Sequence, residues 1–419
     1  MNVVIINKSD STGGAAVVSF RLMNALREQG IDASMLVTEK LTDSPFVHLA
    51  APAWRSKIPF LAERLRIFLT KGVDRSNLFK VDTGRCGLPL HRHPLVRNAD
   101  IVCLNWVNQG MLSLAGLNKI RQLGKPVVWT MHDMWCFTGI CHHAGRCRRF
   151  EQQCGQCHLL GSGGRLDDIS HKTLIRKLNS YGPQFPPVHF VAVSNWLAEL
   201  ARKSTLLRDM PLSVIGNAFP LADAEAPLST PNHKGTFTIL FGAARLDDPV
   251  KGLPILIEAT RVLKRKYPAQ AGRLHLVTFG SVKVAGSLDG MEIPHTHLGP
   301  VSGADNLRKI YLAANAVVST SLYETLPGTL VEGQAYGCIP VAFDRGGQKD
   351  IVDHDDTGFL AEWNDDPAIA AENIAEAVMM SFKAKRELMI PKMQDAVRRK
   401  FDYPVIARKY IALFRSLIG

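Results

Sequence analysis

Apolar positions along the 419-residue chain follow two periods in alternation. Short β-branched runs give way to stretches whose apolar residues stand three and four apart. VVIIN (3–7) leads into AAVVSFRLMNALREQG, which has helical spacing and ends at Gly30. ASMLVT, DIVCLNW, PVVWTMH and HFVAVS read as further strands, up to residue 194. After residue 235 the pattern restarts: FTILFGA, a helix through Lys264, LHLVTFG, a helix from about Leu307 to Ala314, then AVVSTS and IPVAF. Strand–helix alternation of this kind predicts parallel sheets covered on both faces, hence α/β, doubly wound domains.

The break in the pattern predicts the division. Residues 217–235, NAFPLADAEAPLSTPNHKG, are rich in proline, alanine and polar residues and read as a linker. The expected domains are then 1–216 and 236–401. A basic helical tail, about 402–419, is expected to pack back on the first domain through anchors such as Tyr403 and Tyr410. The length suits two cores better than one. Two such domains facing each other would place an interdomain cleft at the carboxyl ends of their strands, where α/β sheets bind ligands.

Composition is globular, with 46% hydrophobic and 21% charged residues. The start lacks a basic n-region and a long apolar segment, and no run reaches the roughly 18 apolar residues of a membrane span. A cytoplasmic protein with reduced thiols is expected. Charge changes the picture more. The formal net charge is +12, and residues 1–215, with 27 Lys and Arg against 15 Asp and Glu, carry all of the excess. Its densest stretch is 53–80, where Ile58, Leu61, Leu65, Phe68 and Leu69 keep helical spacing among Arg55, Lys57, Arg64, Arg66 and Lys71. Such a helix either lies on an anionic membrane surface or turns its apolar face into the core.

Candidate chemistry sits at strand ends. GAARLDDPVKG (242–252) puts Arg245 and Lys251 six apart on a loop before a helix, a site for a diphosphate. In SLYETLPGTLVEGQAYG (321–337), Pro327 and Gly328 form a turn and Thr329 opens a helix. Backbone amides near Gly328, Thr329 and Leu330 would face an anion. Glu332 would accept from a ribose diol and Glu324 would reach a sugar. Two acidic clusters, Asp353-His354-Asp355 and Asp247-Asp248, read as turn residues rather than metal ligands.

The Glu-x7-Glu pair, preceded by Arg-x5-Lys-Gly, resembles the retaining glycosyltransferases of family 4, which have the GT-B fold. Val3 to Gly14 resembles the family's first strand and glycine loop, and VSNW (193–196), IGNAF (215–219) and GFLAEWNDD (358–366) stand where it has comparable segments. The resemblance implies that Arg245 and Lys251 hold the diphosphate of a nucleotide sugar, Glu332 its ribose and Glu324 the donor sugar. Gly13 and Gly14 would let backbone approach the reacting groups, and His132 would line the acceptor side. It further implies transfer with retention, with cations rather than a catalytic metal assisting departure of the nucleotide diphosphate.

Residues 129–157 hold five of the chain's eight cysteines. Asp133 would orient His132 or cap the next segment, and Cys136 reads as a packing residue. Cys141, Cys147, Cys154 and Cys157 have the spacing C-x5-C-x6-C-x2-C, whose last pair suits a zinc half-site; His142, His143 or His158 are substitute ligands. A structural zinc and plain reduced cysteines are both open. The stretch resembles a subset of family 4 enzymes of exopolysaccharide synthesis. The expected activity is transfer of a hexose to a saccharide acceptor, lipid-linked, for surface polysaccharide, by a protein peripheral on the inner membrane face. The alternatives are a nucleotide-sugar epimerase of the same fold and a zinc-containing nucleic-acid binder. The latter has a pI near 9.4 in its favour but no recognised binding module, so no nucleic acid is expected as partner.

Overall fold

The computed structural model describes residues 1–70, 75, 77–221 and 235–419. Its contacts divide the chain into one unit of Met1–Ala218 with Ile406–Gly419 and a second of Phe219–Val405. Most of the expected linker, 222–234, and Lys71 lie outside the described residues. The start of that linker is tied down. The Tyr403 amide donates to the Phe219 carbonyl, the Phe219 amide to the Phe401 carbonyl, and the Leu221 amide to the Asp402 carboxylate.

The first unit runs β1 (Asn2–Ile6), α1 (Gly14–Glu28), β2 (Asp32–Val37), β3 (Val47–Leu49), α2 (Ala53–Thr70), α3 (Pro94–Asn98), β4 (Ile101–Leu104), α4 (Leu114–Arg121), β5 (Val127–Met131), α5 (Ile169–Tyr181), β6 (Val188–Ala192), α6 (Asn195–Lys203) and β7 (Leu212–Val214). The strands form one parallel sheet in the order β3-β2-β1-β4-β5-β6-β7. Val3 to Ile6 and all of β4 and β5 are buried, as strands covered on both faces must be. Ser113, Asp168 and Ser194 cap α4, α5 and α6 by accepting bonds from first-turn amides.

The second unit runs β8 (Phe237–Arg245), α7 (Leu253–Lys266), α8 (Pro268–Ala271), β9 (Leu274–Ser281), β10 (His295–His297), α9 (Ala304–Leu312), β11 (Ala316–Ser319), α10 (Gly328–Ala335), β12 (Ile339–Phe343), β13 (Phe359–Ala361), α11 (Pro367–Lys383) and α12 (Arg386–Phe401). Its sheet is again parallel, ordered β10-β9-β8-β11-β12-β13. The core joins Ile239, Phe241, Leu276, Val318, Val341 and Phe343 to α7 and α11. The last helix, α13 (Tyr403–Ile418), returns the chain to the first unit, where the Tyr410 hydroxyl lies 2.9 Å from Thr130 Oγ1.

In both sheets the connections leave in opposite directions from adjacent strands, β1 and β4 in one, β8 and β11 in the other. Ligands of open α/β sheets bind at such reversals. No helix among the described residues is long and apolar enough to cross a membrane. The helical stretch from residue 53 ends at Thr70, and it does not bury its apolar stripe: the residues of α2 that face the core are Ser56, Glu63, Arg64 and Ile67.

Candidate active site

The sharper site is in the second unit. β8 delivers Arg245 at its last residue, and the chain turns through a short 3-10 segment, Pro249–Lys251, into α7. Asp248 caps that segment by accepting from the Val250 amide, and Asp247 accepts from the Lys283 and Val284 amides. These are the loop roles expected of the Asp-Asp pair. The Asp353–Asp355 cluster is likewise a turn, closed by the Asp355 amide bonding the Gly358 carbonyl.

Gly252 joins this loop to the one leaving β11. Its φ is +68°, and a Cβ there would stand 2.0 Å from the Thr320 carbonyl oxygen. The Thr320 hydroxyl in turn donates to the Lys251 and Gly252 carbonyls, at 3.0 and 3.1 Å. The result brings Lys251 against Glu324, whose Oε1 accepts a bond from Nζ. Burial lowers the Lys251 pKa, but the Glu324 charge outweighs it and the net shift is upward, so the ammonium stays charged. Arg245 stands beside them, its guanidinium 3.4 Å from Asp247 and from Asp248.

Gly328 begins α10 with Pro327 as the N-cap residue and no side-chain cap. Thr329 is half-buried in the same turn. The Leu330 amide already bonds the Pro327 carbonyl at 3.2 Å, so it is not the open donor the sequence suggested. Glu332, one turn in, accepts from the Tyr311 hydroxyl at 3.1 Å. Tyr311 is fully buried and stacks on Tyr336.

Residues not foreseen complete the floor. Gly346 and Gly347 follow β12, and the Gly347 amide donates to the Glu324 carbonyl at 2.8 Å. A Cβ on Gly347 would stand 1.9 Å from the Thr325 carbonyl oxygen. The doublet after a buried strand was a usable signal; Thr320 and Tyr311 carried none. A cavity of about 430 Å³ lined by Thr238, His275, Val277 and Lys309 lies elsewhere in this unit and shares no residue with the site.

In the first unit, Gly13 caps α1 with φ +88°, and Gly13 and Gly14 are exposed with nothing within 4 Å of an added Cβ. His132 follows β5 and its Nε2 lies 2.7 Å from Asn105 Oδ1, just past β4. Burial pulls the His132 pKa down to about 4, so the ring is neutral at pH 7. Asp133 points into a buried network instead: it accepts from Trp106 Nε1 and the Trp135 amide, both at 2.8 Å, and meets His142 Nδ1 at 2.7 Å. Burial would raise its pKa, but His142 and these bonds hold it at about 2.

A zinc held by the four cysteines is not shown. Among the described residues no group of three or more His, Cys, Asp or Glu side chains is arranged to hold a metal ion. Cys141, Cys147, Cys154 and Cys157 are free thiols, as is the buried Cys136. Burial pushes Cys141 to about 12 and Cys157 to about 11, so these two stay protonated. The loop is braced by other groups. Lys177, fully buried and lowered to about 7 by burial, donates to the Trp135 and Thr138 carbonyls and lies 3.4 Å from the Trp135 ring centroid. Asp168 accepts from the Cys157 amide and caps α5. Cys141 and Cys157 pack on the apolar cluster of Ile67, Val81, Ile140 and Leu160.

Two parallel sheets with loops of this kind define the GT-B class, and comparisons agree. Residues 229–392 match the family model described as "Glycosyl transferases group 1". A D-inositol 3-phosphate glycosyltransferase of Pseudarthrobacter chlorophenolicus is 24% identical over 382 residues, 85% of this chain and 81% of the relative. A glycogen synthase of Thermodesulfovibrio yellowstonii is 29% identical over 111 residues, 26% of this chain but only 22% of that enzyme's length. Among solved structures, Anabaena HepE in complex with UDP and glucose superposes with TM-score 0.61 at 17% identity, covering all of both chains. Sucrose-phosphate synthase from Thermosynechococcus elongatus gives 0.62 at 16%, covering 100% of this chain and 99% of that one.

Proposed function

We propose that the protein is a retaining glycosyltransferase of family 4 that moves a hexose from a nucleotide-diphosphate sugar to a saccharide acceptor. The observation that carries this is the Lys251–Glu324 pair, held across the β8/β11 reversal beside the uncapped start of α10. A diphosphate brings the charge this cation and helix N-terminus attract, and it would exchange with Glu324 as the partner of Lys251. Glu324 then turns to the sugar, and Glu332, held by Tyr311, takes the ribose. The donor's C1–O bond breaks with its electron pair going to the diphosphate, the acceptor hydroxyl oxygen bonds C1 on the same face, and its proton passes to the departing diphosphate oxygen. Arg245, Lys251 and the amides of Gly328 and Thr329 stabilise the leaving charge without calling on a metal ion. Neutral His132 is the acceptor-side hydrogen-bonding group, with Gly13 and Gly14 admitting the substrate to the backbone. The UDP and UDP–glucose complexes of HepE support a nucleotide-sugar donor.

The acceptor we assign is a lipid-linked saccharide in surface polysaccharide synthesis. What supports it is the resemblance of residues 129–157 to the exopolysaccharide subset, together with the basic first half. The decisive experiment is a thermal-shift series with UDP, GDP and ADP. A matching nucleotide at 100 times its dissociation constant adds about 2.7 kcal/mol of stability. No stabilisation by any of the three would end the donor assignment. Release of free nucleotide diphosphate only when acceptor is present separates transfer from epimerisation.

A further inference from the structure

Helix α2 sits inside out. Glu63 and Arg64 are buried, while Trp54, Ile58, Leu61, Leu65 and Leu69 are 57–62% exposed. Its orientation is fixed by polar bonds, with the buried Ile67 as its apolar anchor. Glu63 accepts from the Thr83 amide and hydroxyl and the Cys86 amide; Arg64 donates to the Leu78 and Val81 carbonyls and to Asp82 at 2.7 Å. The helix backbone is also clamped by Gly110, where a Cβ would come 2.4 Å from the Phe60 nitrogen. Rolling α2 to hide its apolar ridge would break these bonds and leave Asp82 buried without its Arg64 partner.

The exposed ridge is ordered. At about 100° per residue, the five apolar side chains fall within an arc of about 80°, with Arg55 and Arg66 on one flank and Lys57 on the other. All three cations are exposed, and the helix's one acid, Glu63, is buried, so every exposed charge on α2 is positive. Phe79 and Lys80, just beyond the helix, add an exposed ring and another cation. Contiguous exposed apolar surface of this kind marks a binding face.

We propose that α2 is a membrane-docking helix, its Trp54–Leu69 ridge entering the acyl boundary of an anionic bilayer while Arg55, Lys57 and Arg66 meet lipid phosphates. A bilayer fits better than a protein groove because apolar depth and a one-signed cationic rim are both required, and the whole +12 excess lies in the first half. The inference does not rest on the transferase reading, since no donor-site residue lies on α2.

Full-length protein is tested by co-sedimentation with vesicles of phosphatidylcholine alone and of phosphatidylcholine with phosphatidylglycerol. Binding is expected on the anionic vesicles and should fall as salt rises. Leu61→Asp with Leu65→Asp should lose at least 100-fold in partitioning, and Arg55→Gln, Lys57→Gln and Arg66→Gln together about 100-fold. All sites are exposed, so circular dichroism and the nucleotide thermal shift should stay unchanged; if they do, weak binding reports the surface and not misfolding. No vesicle binding, or equal binding to neutral and anionic vesicles, overturns the proposal. So does a wild-type dimer that the leucine variants convert to monomer without a vesicle effect, since the ridge would then serve a second copy.

Discussion

Beside the β1/β4 reversal, the loops leaving β4 and β5 carry Asn105, His132 and, behind them, Asp133; at β8/β11 the loops carry Lys251, Glu324 and Arg245. The strand order is the same, but the chemistry is opposite. The first reversal has a ring kept neutral by burial and a carboxylate locked into a network of two tryptophans and His142. The second keeps a charged, partly buried ion pair. One topology therefore carries a neutral ring over a locked carboxylate in one domain and a paired ammonium and carboxylate in the other. The difference lies in what the loop residues bond to, not in the sheets.

The comparison breaks most directly at the charged end. Lys251→Ala and Glu324→Ala are each expected to lower kcat by on the order of 100-fold or more with the fold intact, the scale of losing one group that stabilises transition-state charge. The measurement is turnover on a working donor–acceptor pair, with circular dichroism as the control. Unchanged turnover in either variant would remove that residue from the donor site.

The neutral end should show itself in acid. The His132 pKa is depressed from the usual 6.5 to about 4, so the unfolded chain binds the proton first. Stability present above pH 6.5 is then lost as pH falls toward 4, by about 3 kcal/mol. Asp133, depressed to about 2, contributes stability above its unfolded value near 4 that is lost between there and about 2. Chemical denaturation from pH 7 to 4 should show the first fall in the wild type and much less of it in His132→Gln. An equal fall in both would assign the acid sensitivity elsewhere.

The two reversals also differed in how far they could be read ahead. The strands were legible because parallel strands buried on both faces become unbroken apolar runs, as VVII and IPVAF show. Lys251 and Glu324 stood out by charge at fixed spacing, and the structure pairs them. What escaped was whatever depends on contacts distant in sequence. The rule that charged residues face water hid the burial of Glu63, Arg64 and Lys177, each satisfied by partners 14 to 42 residues away. Cysteine spacing suggested a metal, but it could not show that Lys177 and Asp168 hold the loop through backbone groups. Gly346 and Gly347 are conspicuous only once the Glu324 loop lies on them.

The link between the loops at β8/β11 offers a sharper cut. Gly252→Ala puts a methyl into the Thr320 carbonyl at a φ of +68°. Either the backbone moves or strain of about 2 kcal/mol is stored. Because Lys251 is the preceding residue, donor affinity should fall along with thermal stability. Gly13→Ala, at φ +88° but in open space, should cost less stability and weaken nucleotide binding less. If both substitutions weaken nucleotide binding equally, the two loops are not functionally distinct.

The smallest effect concerns how Glu332 is held. Tyr311→Phe removes only the hydroxyl that donates to Glu332 Oε2, and the ring keeps its stacking on Tyr336 and its edge contact with Phe279. One hydrogen bond to a charged group in a half-buried setting is worth about 1 kcal/mol, so the carboxylate loses orientation but not its place. A group that binds the ribose contributes equally to ground and transition states. Loosening it should therefore raise the donor KM by roughly 5-fold while kcat holds. Glu332→Gln should move the same parameter further in the same direction. A fall in kcat with KM unchanged would instead place Glu332 at the reacting centre, and the division of labour between Glu324 and Glu332 would have to be reversed.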